Sequence, residues 1–97
     1  MSPVIWRPRA LRDLERLFRF LKDKNPEPAR KAALRIAAAA DDLSQNPRLG
    51  KPMPDETGRR ELSTAFGRRG YVIRYMLDDD DTVVIIRVWH TLEDRDF

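Results

Sequence analysis

The sequence predicts an α+β domain in which a helical hairpin covers one face of a small, mostly antiparallel sheet, in the order β-α-α-β-β-β. Three observations carry this. Apolar residues recur at helical spacing twice in the first half of the chain. A Pro/Gly-punctuated linker, Gln45 to Pro54, then ends that pattern. Three β-prone runs separated by turn-like segments fill the second half. At 97 residues the chain suits one domain spanning 1–97 and is too short for two.

The elements follow in order. Val4-Ile5-Trp6 is a short β-prone run stopped by Pro8. From Pro8, which suits a first helical turn because its missing N–H costs nothing there, Leu11, Leu14, Leu17, Phe18 and Leu21 share one face. Arg9, Arg12, Asp13, Arg16, Arg19 and Lys22 fall on the opposite, solvent face, and Asp23-Lys24-Asn25-Pro26 ends the helix. A second helix starts near Pro28, with Ala29, Ala32, Ala33, Ile36, Ala37, Ala40 and Leu43 at helical spacing. Its alanine face lets a neighbouring backbone approach closely, and a break of about five residues makes the two helices an antiparallel hairpin.

Three strands follow. Arg60 to Ala65 alternates around Leu62, Tyr71 to Leu77 is rich in β-branched and aromatic residues, and Thr82 to Trp89 is a nearly continuous apolar run. The last is expected at the centre of the sheet, under the helices. Gly67 to Gly70 and the four aspartates Asp78 to Asp81 read as the turns between them. The aspartate run lacks the glycine and distal glutamate of a calcium loop, so it reads as a solvated hairpin turn. Trp6, Trp89 and the Leu/Phe stripe read as core.

Composition narrows the function classes. There are no cysteines, which excludes disulfides, thiolate metal sites and a thiol nucleophile. No apolar run approaches the ~20 residues that span a membrane, and no signal-peptide core is visible, so a cytoplasmic protein is expected. No Gly-rich phosphate loop, paired-histidine metal spacing or Ser/His/Asp arrangement is present, and no cofactor or metal is expected. Nineteen Lys+Arg face 16 Asp+Glu, for a net charge of +3, and 15 of the 19 are arginine. An arginine-rich surface suits an acidic protein or a nucleic acid, because the guanidinium pairs bidentately with carboxylates and phosphates.

Several phrases taken together resemble a known family. Asn46-Pro47-Arg48-Leu49-Gly50-Lys51-Pro52 after an alanine-rich helix is similar to the linker of RelE/ParE toxins. So are Tyr71-Val72-Ile73-Arg74-Tyr75 before an acidic turn, Val84-Ile85-Ile86-Arg87-Val88 with His90 after it, and the opening Ala10-Leu11-Arg12-Asp13-Leu14. The resemblance covers almost the whole chain, and the ending Arg87-Val88-Trp89-His90 with Glu93-Asp94-Arg95 looks closer to the ParE branch. It implies the toxin half of a type II toxin–antitoxin system, held in check by a cognate antitoxin. RelE-like members of that family are ribosome-dependent mRNA endonucleases. ParE-like members poison DNA gyrase and cut nothing themselves.

Both activities have candidate residues. RNA cleavage by a 2′-hydroxyl needs a base, an acid and cations for the phosphorane charge. His90 can titrate near neutral pH, Glu61 is a possible carboxylate partner, and Arg60, Arg69, Arg74 and Arg87 can hold phosphate. The resemblance to the nuclease branch is imperfect: Val72 stands where RNA-cutting relatives carry a basic residue, and the tail Glu93-Asp94-Arg95-Asp96-Phe97 brings carboxylates that repel RNA. Gyrase poisoning needs only a docking surface, which Arg9, Arg12, Arg16 and Arg19 on the first helix and Arg48, Lys51, Arg59 and Arg60 in and after the linker can supply. The same surface, with an exposed sheet edge that can accept a strand, suits an acidic antitoxin tail.

Overall fold

The computed structural model describes residues 1–24, 26–66, 69–91 and 93, with the backbone alone for 20–24, 65, 66 and 69. Strand β1 (Val4–Trp6) leads into helix α1 (Pro8–Lys24), followed by α2 (Pro26–Gln45), β2 (Lys51–Pro52), β3 (Arg60–Phe66), β4 (Arg69–Leu77) and β5 (Val83–His90). The expected order of helices and strands is present, with one short strand added inside the linker. The sheet has five strands in the order β1-β5-β4-β3-β2 rather than four. It is mixed: β1 runs parallel to β5, and the other three pairings are antiparallel.

Helix α1 extends to Lys24 and α2 begins at Pro26, so the two helices come closer in sequence than the predicted break of about five residues. Pro26 and Pro28 both fall in the first turn of α2, where neither needs an N–H, so the helix starts at the earlier one. The helical hairpin then returns the chain to the far edge of the sheet. From there β3, β4 and β5 meander back until β5 lies beside β1.

The core lies between the hairpin and one sheet face. It joins Ala10 and Leu17 of α1 and Ala32, Ile36, Ala39, Ala40 and Leu43 of α2 to Tyr71, Ile73, Tyr75, Val83, Ile85 and Val88. The inward row of α1 differs from the sequence reading at two places. Asp13 is fully buried, and Leu11 is 48% exposed. Residues 10, 13, 14 and 17 form one i, i+3, i+4, i+7 row, and Asp13 belongs to it by geometry although its charge assigns it to solvent. Ala37 of α2 likewise faces outward, while Ala39 is buried.

A bulge between Arg74 and Tyr75 sets which residues of β5 face the helices. Arg74 pairs with Arg87, but Tyr75 pairs with Ile85, so Ile86 is the extra residue. Val83, Ile85 and Val88 therefore all face the core, and Arg87 and Trp89 face the opposite side. The predicted turn at 67–70 is shortened, because Arg69 and Gly70 already belong to β4, while Gly67 and Arg68 lie outside the described residues. The aspartate turn closes on itself: Asp78 Oδ1 accepts the N–H groups of Asp80 (3.0 Å) and Thr82 (2.8 Å). Asp81 sits in the left-handed region at φ 58°.

The linker is held by one buried tyrosine. The Tyr75 hydroxyl donates to the Pro47 carbonyl (2.7 Å) and accepts the Gly50 N–H (2.9 Å). Arg60 adds Nη1 bonds to the carbonyls of Gly50 (2.6 Å) and Arg48 (3.2 Å). Position 50 has no room for a side chain: a Cβ there would lie 2.7–2.9 Å from Tyr75 and the Glu61 carbonyl.

Candidate functional site

The polar side chains of the sheet converge on a chain of arginines and carboxylates along β3, β4 and β5. Glu61 and Arg74 face each other across β3 and β4, with Glu61 Oε2 accepting Arg74 Nη2 at 2.8 Å and Nε at 3.0 Å. The Arg74 side chain is only 2% exposed. Its guanidinium carbon lies 4.7 Å from the centroid of the Trp89 ring, and that of Arg87 lies 4.6 Å from the same centroid. Two like charges directly opposite in a sheet repel. Here each has its own carboxylate, and both rest on one indole, whose ring quadrupole attracts cations.

Arg87 finds its carboxylate on α1. Beyond Trp6 the edge of β5 is no longer paired with β1, and α1 crosses it there. Asp13 Oδ2 accepts the Val88 backbone N–H (2.9 Å) and Arg87 Nε (2.8 Å), while Oδ1 accepts Arg16 Nη1 (2.6 Å). Burial pushes the Asp13 carboxyl up, but the donors from Arg87, Val88 and Arg16 outweigh it and hold the group below its ordinary range. Arg16 spans onward to Glu93, with Nε at 3.1 Å and Nη2 at 3.0 Å, and Glu93 Oε2 also accepts the His90 backbone N–H at 3.0 Å.

His90 belongs to the other side of the sheet. It pairs in register with Tyr71, and the two rings meet edge to face at 5.5 Å. Tyr71 is buried in the core beneath the helices, whereas Glu61, Arg74 and Arg87 alternate to the opposite face. The structure therefore brings Glu61, Arg74 and Arg87 into one network and keeps the His90 ring apart from it. The Arg69 side chain and residues 94–97 lie outside those described.

The eight expected docking cations divide by their partners. Arg48 pairs with Asp81 (3.1 Å), Arg59 with Asp55 (2.9 Å), and Arg60 is bound to linker carbonyls. Arg16 bridges Asp13 and Glu93, and Arg9 lies 3.9 Å from Asp13. Arg12, Arg19 and Lys51 are exposed and form no ion pair among the described residues. The exposed Asp55 carboxyl is lowered to about 2, chiefly by the Thr57 hydroxyl with further donors from the Thr57 N–H and Arg59. Asp13 and Glu93 are the members of the network that charge and hydropathy alone do not single out. The available signal for Asp13 was its place in the Ala10/Leu14/Leu17 row.

A sheet half-covered by a helical hairpin, with an arginine-rich surface and a polar network on its other face, matches one class of small protein. The family model described as "ParE toxin of type II toxin-antitoxin system, parDE" matches residues 4–95. The chain belongs to this family. Among its relatives, Toxin RelE3 of Caulobacter vibrioides is 40% identical over 98% of this chain and 100% of its own length. Toxin RelE1 of the same organism is 39% identical over 90% of each chain. The fold also matches a solved structure, the chromosomal ParDE TA system from P. aeruginosa, with a TM-score of 0.71 and 24% identity over 93% of this chain and 96% of that one.

Proposed function

We propose that this toxin is neutralised by a cognate antitoxin and acts in the ParE manner, by docking onto DNA gyrase in the cytoplasm rather than by cutting RNA. The observation that carries this reading is the separation of the His90 ring from Glu61, Arg74 and Arg87 by the sheet itself. Transfer to a 2′-hydroxyl needs the base, the acid and the phosphate-binding cations at one point. Here Arg74 and Arg87 are committed to Glu61, Asp13 and Trp89, and the imidazole points toward Tyr71. Docking needs only an accessible surface. Arg12 and Arg19 on α1 and Lys51 on β2 supply accessible positive charge for an acidic partner surface.

The second reading, an mRNA endonuclease acting on the ribosome, is favoured by the names of the curated relatives, which are RelE toxins. Pulse-labelling after induction of the toxin alone separates the two. An early stop in DNA synthesis with a DNA-damage response is the expected result. An early stop in translation, abolished by His90→Ala, would replace the gyrase reading with the nuclease one.

A further inference from the structure

Helix α2 packs against α1, β1 and β3 and turns its remaining face to solvent. Lys31, Leu34, Ala38 and Asp41 recur there at spacings of three and four, so they form one row, and all four are exposed. Leu34 is 57% exposed, more than any other large apolar side chain except Met1 among the described residues.

Charge along this face is divided. Arg30 and Lys31 stand in the first half of the helix, Asp41 and Asp42 in the second. The last turn holds no basic residue, and the negative end of the helix dipole disfavours carboxylates near it, so the arrangement does nothing for the helix itself. Nor does the fold consume it. Lys31, Asp41 and Asp42 form no ion pair among the described residues, and Arg30 pairs at the surface with Glu27.

A single exposed leucine is ordinary on a protein surface, but the pattern around this one is symmetric. Lys31 and Asp41 lie equally far from the midpoint between Leu34 and Ala38, and so do Arg30 and Asp42. A partner that covers the row must be negative at one end, positive at the other and apolar between. A uniformly acidic or basic surface meets repulsion at one end. A second copy of α2, turned end for end, has the required pattern by construction.

We propose that the toxin self-associates through this face, with two α2 helices packed antiparallel about a two-fold axis beside Leu34 and Ala38. Leu34 of each copy seats against Ala38 of the other, whose methyl group leaves room for it. Lys31 of each copy faces Asp41 of the other, and Arg30 faces Asp42, so ion pairs close both ends of the apolar centre. A single pair of helices makes a small contact, which places the association in the weak, reversible class. The pairing does not depend on which target the toxin strikes.

Sedimentation velocity on the free full-length toxin, over a concentration series at low and at high salt, tests this. The wild type is expected to pass from monomer to dimer as concentration rises, and less readily at high salt, which screens the pairs. Leu34→Lys removes the apolar centre and is expected to weaken dimerisation by about tenfold or more. Lys31→Asp and Asp41→Lys each set like charges opposite one another at both ends of the contact. Either alone is expected to weaken dimerisation by about tenfold, and the two combined to restore it. All three positions are exposed, and melting curves show whether each variant folds. A monomer at every concentration would overturn the proposal, as would a dimer indifferent to Leu34→Lys. A combined variant no better than either single one would overturn the antiparallel pairing. Where Leu34→Lys fails to fold, the charge exchange decides.

Discussion

The carboxylate of Asp13 on α1 accepts Arg87 Nε of β5 at 2.8 Å, joining residues 74 apart in the chain. The same oxygen accepts the Val88 backbone N–H at 2.9 Å, so one buried side chain caps the strand edge that β1 leaves unpaired and neutralises the arginine beside it. This contact ties the first helix to the last strand.

Removing that carboxylate leaves a mostly buried guanidinium and a strand N–H without their acceptor. Asp13→Ala is expected to cost about 3–5 kcal/mol, the range for breaking a buried ion pair on one side only. Urea denaturation of the two proteins measures it. A loss well under 1 kcal/mol would mean that water or Glu93 takes over both donors.

The pH dependence follows from the direction of the Asp13 shift. The folded-state pKa lies below the ordinary 3.8, so the stability it contributes is present in full above that value. It is lost as pH falls through the lower, folded value. The stability gap between wild type and Asp13→Asn is therefore expected to be flat near neutrality and to narrow in acid below about pH 4. Asp55 titrates in the same direction but is unchanged in both proteins, so its contribution cancels in this comparison. A gap that widens in acid would contradict the assignment.

The linker clamp is tested at Gly50. Ala at this position forces Tyr75 or the β3 backbone to move, since the new Cβ would stand 2.7–2.9 Å from both. Gly50→Ala is expected to destabilise by about 1–3 kcal/mol, the usual cost of overpacking. Tyr75→Phe, which leaves the buried Gly50 N–H without an acceptor, is expected to cost about 1–3 kcal/mol. Thermal or chemical denaturation of both variants checks this, and the double variant should cost less than the sum because the two share one contact.

For activity, the informative arginines on α1 are Arg12 and Arg19. Arg16 is engaged with Asp13 and Glu93, so changing it alters the fold as well as the surface. Arg12→Glu with Arg19→Glu is expected to abolish growth inhibition while thermal stability changes little. His90→Ala is expected to keep its toxicity. Plate toxicity assays beside melting curves separate the two effects, and a toxic double mutant would move the docking surface off α1.

The helices, four of the five strands and the family were legible in the sequence. Leucine and alanine spacing, the Pro/Gly linker and the β-branched runs are local signals, and each sets the conformation of its own segment. The linker strand escaped because a two-residue pairing of Lys51 and Pro52 has no periodicity to read. Asp13 escaped because charge outweighs position when one residue is judged alone. Its burial depends on Arg87, Arg16 and the Val88 N–H, which arrive from elsewhere in the fold.

By itself, then, the sequence determined the α+β class, the order of its main elements and the membership of the toxin family. Only the tertiary structure decided which candidate residues meet. It set Glu61, Arg74 and Arg87 on one face of the sheet and His90 on the other. It also placed β1 and β2 at the two edges of the sheet. Strand pairing, a bulge at Arg74 and Tyr75 and the path of α1 across β5 are long-range choices, and neighbouring residues in the chain carry no record of them.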